Sequence, residues 1–190
     1  MKKGIVMKPT DELMKEHDAI LGVLDVLDKI CAQIEKKSAF KLDDVSRILD
    51  FLRRFADGCH HAKEEQHLFP ALEQAGIPRE HGPIGMMLSE HDLGRKHITG
   101  ISSALDRCRQ GERAAGDLAS SARAYAHLLR AHINKENQVL FPMADRILPP
   151  DVQKRITGAF AHLEDVEIGK GVHEQYHAML HELHDAYLAS

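Results

Sequence analysis

Tryptophan is absent from this 190-residue sequence, aromatic residues make up 5% of it, and there are only three cysteines. Cys31, Cys59 and Cys108 are odd in number, widely spaced and form no Cys-x-x-Cys pair, so a disulfide framework is excluded and they read as reduced core thiols. Neither sign of charge dominates. With 25 basic and 29 acidic residues the net charge is -4, leaving no basic patch for nucleic acid and no block of like charge for a tail. No segment approaches the roughly 20 apolar residues that span a bilayer, and the opening MKKGIVMKPTDELM has no apolar run of signal-peptide length. These absences predict a protein of the cytoplasm with small partners, touching neither membrane nor nucleic acid. No feature names a protein partner, and a homodimer is compatible with the composition.

Alternating strand patterns are missing as well, and clustered Pro and Gly residues divide the chain into stretches of good helix formers. The expectation is an all-α fold. A first helix starts at Thr10 as N-cap and runs to Lys37; a second spans Leu42 to Gln74; residues 76 to 85 form a loop. A third helix runs from Met86 to Gln110 with Gly111 as its stop, and a fourth from Arg113 to Ile147. After Pro149 and Pro150, Asp151 caps a fifth helix to His162, and a sixth covers Val172 to Leu188. Residues 1–148 are thus expected to form an antiparallel up-down four-helix bundle, and 149–190 a C-terminal helical extension packed on it.

What the sequence has in excess is histidine, 14 residues in all. Several belong to an internal repeat: Met14–Asp18 (MKEHD) matches Met87–Asp92 (MLSEHD), and HHAKEEQHLFPAL from His60 matches HINKENQVLFPMA from His132. Each half therefore carries one single histidine, then a His-x-x-x-Glu pair followed by Leu-Phe-Pro at a fixed offset. Residues i and i+4 share a helix face, so His60 with Glu64, and His132 with Glu136, can each chelate one centre. With His17 and His91 the set comprises four imidazoles and two carboxylates, which suits two metal ions bridged by the glutamates. Nitrogen and oxygen donors without thiolate favour iron, with manganese or zinc as substitutes, and the charge balance accommodates a bridging oxo or hydroxo group. A lone buried histidine is usually a hydrogen-bonded core residue, and a lone His-x-x-x-Glu a solvated pair. Repetition at matching offsets is what favours metal.

The motifs EHD at Glu16, HHAKEE at His60, EHD at Glu90 and HINKEN at His132 resemble the HHE cation-binding domain of the hemerythrin-like family, over roughly residues 10 to 147. The resemblance implies a four-helix bundle around a non-haem di-iron centre that meets dioxygen, nitric oxide or peroxide. It assigns His17 and His60 to one iron, His91 and His132 to the other, and Glu64 and Glu136 as bridges. Oxygen-carrying hemerythrins have a fifth histidine one turn after the third-helix ligand, where this chain has Arg95, and an aspartate one residue beyond the position of Glu136. The four-His, two-Glu pattern is more similar to bacterial iron-sulfur repair and iron-sensing members. The readings left open are a binder or sensor of small ligands, a di-iron enzyme, and a metal-dependent interaction module.

Four other residues are expected one layer out from the metals: His61 with Glu65, whose His-x-x-x-Glu pairing lies out of register with the repeat; His67, which shares a helix face with His60; and Tyr125, two turns before His132. Pro70 and Pro142 read as punctuation beyond the ligand level. His173, His177, His181 and His184 fall on one face of the last helix and read as a solvated stripe.

Overall fold

The computed structural model describes residues 7–169 and 171–189, and these are helical, with no strand among them. Helix α1 is Pro9–Glu35. Its N-cap is Lys8 rather than Thr10, because Pro9 suits the first helical position, where its fixed φ is already helical and its missing N–H costs nothing. Thr10 instead sits in the first turn and donates from Oγ1 to Asp145 Oδ1 at 2.7 Å. The same effect moves two other starts. Helix α4, Pro83–Arg109, begins at a proline three residues before the expected Met86, and α7, Pro150–Leu163, has Pro149 as N-cap where Asp151 was expected.

Between α1 and α4 the chain forms one helical rod from 42 to 74, but only its ends are ordinary α-helix. Helix α2, Leu42–Phe51, widens into π-helical turns at Leu52–His61 and again at Glu64–Leu68 before α3, Phe69–Gln74. After α4 the pattern recurs: α5, Ala115–Lys135, passes through a π-turn at Glu136–Leu140 into α6, Phe141–Ile147. Both of these short π-turns directly precede a Phe-Pro. Proline has no N–H to donate and its ring clashes with the carbonyl four residues back, and a wide turn relieves both problems. Accordingly Phe69 and Phe141 donate their N–H to the carbonyls of Glu64 and Glu136, five residues back. Pro70 and Pro142 therefore neither end nor break their rods.

Helix α5 packs against both α4 and α1. Apolar residues at helical spacing form two large clusters, with a small third of Cys59 and Leu163. One contains Ile20, Leu24, Leu27, Phe51, Phe55, Ile101, Ala122 and Leu129; the other contains Leu13, Leu68, Phe69, Met87, Leu140 and Phe141. Along α1 the order is Leu13, His17, Ile20, so a polar layer separates the two clusters. The last helices join them: α7 sends Ile156 and Phe160 into the second cluster, and α8, Val172–Tyr187, sends Tyr176, Met179 and Leu183 into the first. Tyr176 and Tyr187 also donate to Asp50 at 2.9 Å and Asp44 at 2.7 Å. His177, His181 and His184 are exposed and gather no metal-holding group among the described residues, while the side chain of His173 lies outside them. Among the described residues no helix is long and apolar enough to cross a membrane.

Candidate metal centre

The polar layer is built from four helical segments. Helix α1 contributes His17, the rod after α2 contributes His60, His61 and Glu64, α4 contributes His91, and α5 with its π-turn contributes His132 and Glu136. All seven are buried, and the most exposed, His61, is only 4% accessible. Two groups form, each with its donor atoms within 4.8 Å of one another: His17, His60, Glu64 and Glu136, and His61, Glu64, His91 and His132. Glu64 belongs to both, its Oε1 lying 3.7 Å from His60 Nε2 and its Oε2 3.4 Å from His91 Nε2. Glu136 also spans the layer, with Oε2 3.2 Å from His17 Nε2 and 3.3 Å from His132 Nε2.

Every imidazole is held from behind at Nδ1, which leaves Nε2 facing the centre. His60 meets Glu16 at 2.7 Å, His132 meets Glu90 at 3.0 Å, His91 meets Glu65 at 2.7 Å, His17 meets Asn137 at 2.8 Å and His61 meets Asp57 at 3.2 Å. Such outside partners fix ring orientation and tautomer and raise the basicity of the inward nitrogen. Two lysines extend the array: Lys63 donates to Glu16 and Glu164, and to Glu12 at 2.8 Å, while Lys135 donates to Glu90.

Of the inward atoms, His91 Nε2 and His132 Nε2 lie 3.1 Å apart within hydrogen-bonding distance, but the rest have no hydrogen-bond partner in the protein. Nε2 of His17, His60 and His61 and all four carboxylate oxygens of Glu64 and Glu136 are buried without a hydrogen bond. Leaving a buried polar group unsatisfied costs about 1–3 kcal/mol, more for a charged one. Seven such atoms converging in one layer fit a cation, and imidazole with carboxylate suits iron, zinc or manganese. Without a cation, burial and the charge of Glu136 push the Glu64 carboxyl well above its ordinary range. Burial acts on Glu136 too, but the facing imidazoles of His132, His17 and His60 outweigh it and bring that carboxyl down to about 2.

Burial, reinforced by neighbouring imidazoles, also drives His60 and His61 well below the usual histidine value. In the unfolded chain they charge near pH 6.5, so between there and their folded values the unfolded state binds more protons and stability falls with falling pH. Glu64 acts in the opposite sense, as one group against two. The thermal midpoint of the metal-free protein is therefore expected to drop as the pH is lowered from about 7 to about 5. A flat or rising profile would contradict the neutral, buried imidazoles.

The structure thus brings together His17, His60, Glu64, His91, His132 and Glu136, and adds His61. The expected choice between His60 and His61 does not arise, because both reach the layer. Consecutive residues of an α-helix point about 100° apart, whereas the π-helical stretch ending at His61 packs more residues into each turn and narrows that angle. His61 stacks on His91, ring centroids 3.9 Å apart. Glu65 stands one layer out against His91. His67 is turned away by the π-turn containing it, toward Phe160 at 6.1 Å. Tyr125 is buried beside the layer, in a cavity wall it shares with His61 and His91.

Glu16, Glu90, Lys63 and Lys135 were not singled out from the sequence, although the repeat carries them. A glutamate precedes both His17 and His91, and a lysine precedes both Glu64 and Glu136. Glu65 and Asn137 likewise occupy matched positions, each behind the single histidine of the other half.

The hemerythrin HHE cation-binding domain matches residues 8–144. The chain belongs to this family. Among its relatives is an uncharacterized protein of Mycobacterium tuberculosis, 26% identical over 133 residues, or 70% of this chain and 51% of the relative. A protein of Edwardsiella ictaluri named as an iron-sulfur cluster repair protein is 33% identical over 103 residues, 53% of this chain and 46% of the relative. One of the same description in an Enterobacter species is 35% identical over 88 residues, 45% and 40% of the two chains. This hemerythrin-family chain spans about half the length of the relatives it matches, and no solved structure matches it.

Proposed function

We propose that this hemerythrin-family chain holds two iron ions with a bridging oxo or hydroxo group inside an antiparallel up-down four-helix bundle, residues 1–148, with 149–190 packed on it as an extension. Its function is to bind, sense or react with dioxygen, nitric oxide or peroxide in cytoplasmic stress response or iron handling. The observation that carries this reading is the convergence of seven buried, unpartnered ligand atoms whose imidazoles are all oriented from outside. His17 and His60 would hold one ion, His61, His91 and His132 the other, with Glu64 and Glu136 shared. Such a pair supplies reversible one- or two-electron exchange with a small ligand.

The protein's own contribution is asymmetric. Three imidazoles serve one ion and two the other, so the His17–His60 side has fewer protein donors and is the place for a diatomic ligand. Flanking apolar clusters keep bulk water from that side. Behind His60 and His132, Lys63 and Lys135 donate to Glu16 and Glu90, the two carboxylates that face Nδ1 of those imidazoles. A second reading, iron donation for cluster repair, is supported by the two relatives named as iron-sulfur cluster repair proteins.

Anaerobic loading of metal-free protein with ferrous iron tests the proposal. Two irons per chain are expected, with visible bands that change on adding dioxygen, nitric oxide or peroxide. Reversible bands favour binding or sensing, continued turnover favours catalysis, and release to a cluster-free acceptor favours repair. A stoichiometry of one overturns the two-metal reading.

A further inference from the structure

The two halves of the repeat agree at the ligands but differ beside them. Counting from His60 and His132, Asp57 and His61 in the first half correspond to Leu129 and Ile133 in the second. Counting from His91 and His17, Gly94 and Arg95 correspond to Ile20 and Leu21. The apolar set is packed into the core. The polar set lines a cavity of about 200 Å³, together with His91 and Tyr125. The missing side chain at Gly94 helps create that space, because its counterpart Ile20 is fully buried. Water occupies about 30 Å³ per molecule in the liquid, so the cavity has room for an ion with much of its hydration shell.

Arg95 closes it. The guanidinium donates to Asp57 Oδ1 at 2.9 Å, Glu65 Oε1 at 2.7 Å and Asp92 Oδ1 at 3.0 Å, while its side chain is 39% exposed. Two of those carboxylates are the partners behind ring nitrogens of the centre: Asp57 holds His61 and Glu65 holds His91. When Arg95 swings outward, Asp57, in the cavity wall with Arg53, and Glu65, behind His91, lose the cation they share, directly outside the most exposed imidazole of the layer. The geometry points to this cavity as the port through which an aquated divalent metal ion reaches the centre, with Arg95 standing in for the cation at its mouth. The inference rests on reading the layer as a metal centre. Asp57 and Glu65 receive the ion as the guanidinium leaves, and His61 and His91 take it inward to Glu64.

Cobalt(II), which does no oxygen chemistry under argon, is the probe. It is mixed with metal-free protein, and the growth of its visible absorption is followed by stopped flow, with final occupancy measured by metal analysis. Arg95→Met is expected to take up cobalt about tenfold faster than the parent, since three partly exposed ion pairs no longer break before an ion passes. Gly94→Ile, which restores the counterpart residue, is expected to slow uptake about tenfold by filling the cavity. Gly94→Ala covers the case in which isoleucine disturbs folding: a Cβ there meets Tyr125 Cε2 at 3.5 Å, an ordinary contact, and a smaller slowing is expected. Final occupancy stays that of the parent in all three. If Arg95 only braced the ligands, its loss would slow uptake or lower occupancy, the opposite of the port. Equal rates in parent, Arg95→Met and Gly94→Ala overturn the port alone, whereas absence of cobalt binding by the parent overturns the metal centre beneath it.

Discussion

A Glu64→Ala chain is expected to lose both metal ions, whereas His17→Ala keeps one. Glu64 is the residue common to the two donor groups, with one oxygen beside His60 and the other beside His91. Removing it takes a bridging ligand from both ions and leaves three imidazoles on one side and two on the other, with Glu136 as the one shared carboxylate. The loss of affinity should exceed about 100-fold, the upper end of what losing a mere outside partner of a ligand costs. Metal-free stability should behave in a contrary way. Truncating a buried side chain of this size ordinarily costs about 2–5 kcal/mol, but this one is a carboxyl group buried against Glu136 with neither oxygen hydrogen-bonded. Relief of that strain offsets much of the lost packing, so the metal-free variant should melt close to the metal-free parent. Metal titration followed by calorimetry and by scanning of the thermal midpoint reads both halves of the expectation. Retention of two ions by Glu64→Ala would remove the bridge from the scheme.

Lys63→Met is expected to destabilise the protein by about 3 kcal/mol, the lower end of what stripping one partner from a buried ion pair costs. Its repeat counterpart, Lys135→Met, should cost less than about 1 kcal/mol, as partly exposed pairs do. The lysines occupy the same place in the repeat, but Lys63 is fully buried among Glu12, Glu16 and Glu164, while the Lys135 side chain is 34% exposed beside Glu90. Although burial pulls against it, the surrounding carboxylates hold the Lys63 ammonium charged well above the ordinary lysine value. Without it, Glu16 stays buried against His60, and Glu164, just after α7, loses its contact with the ammonium. Urea denaturation of the two variants side by side measures the difference. Equal losses would mean that Glu164 and Glu12 contribute nothing beyond the pair that both halves share.

Much of the architecture was legible because helical spacing, proline and glycine speak directly about helices. The repeat marked six residues that the structure places in one layer, since identical offsets on two elements imply identical faces. His61 was not legible in that way. Face assignments assume the α-helical step, and nothing in Leu52–His61 announces a wide turn, although Phe-Pro does account for the shorter π-turns at Glu64 and Glu136. Helix starts were displaced toward Pro9, Pro83 and Pro150 because a proline just ahead of an apolar pattern is a better first residue than the polar residue after it is a cap. Glu16 and Glu90 stood in plain view within Glu-His-Asp, but a carboxylate beside a histidine in sequence points about 100° away from it around the helix. Only the packing shows that each serves the histidine of the next element.

The polar layer between the two apolar clusters bears on how the molecule holds together as a whole. Each cluster is a small core that could melt by itself, and between them lie seven inward atoms that repel or leave one another unsatisfied. That layer is the natural plane of weakness of the metal-free chain, where partial opening costs least. Ions bound there tie positions 17, 60, 91 and 132 to one another, and their binding free energy adds to the folded state alone. Metal supply thereby sets whether the chain unfolds as two loosely linked cores or as one cooperative body.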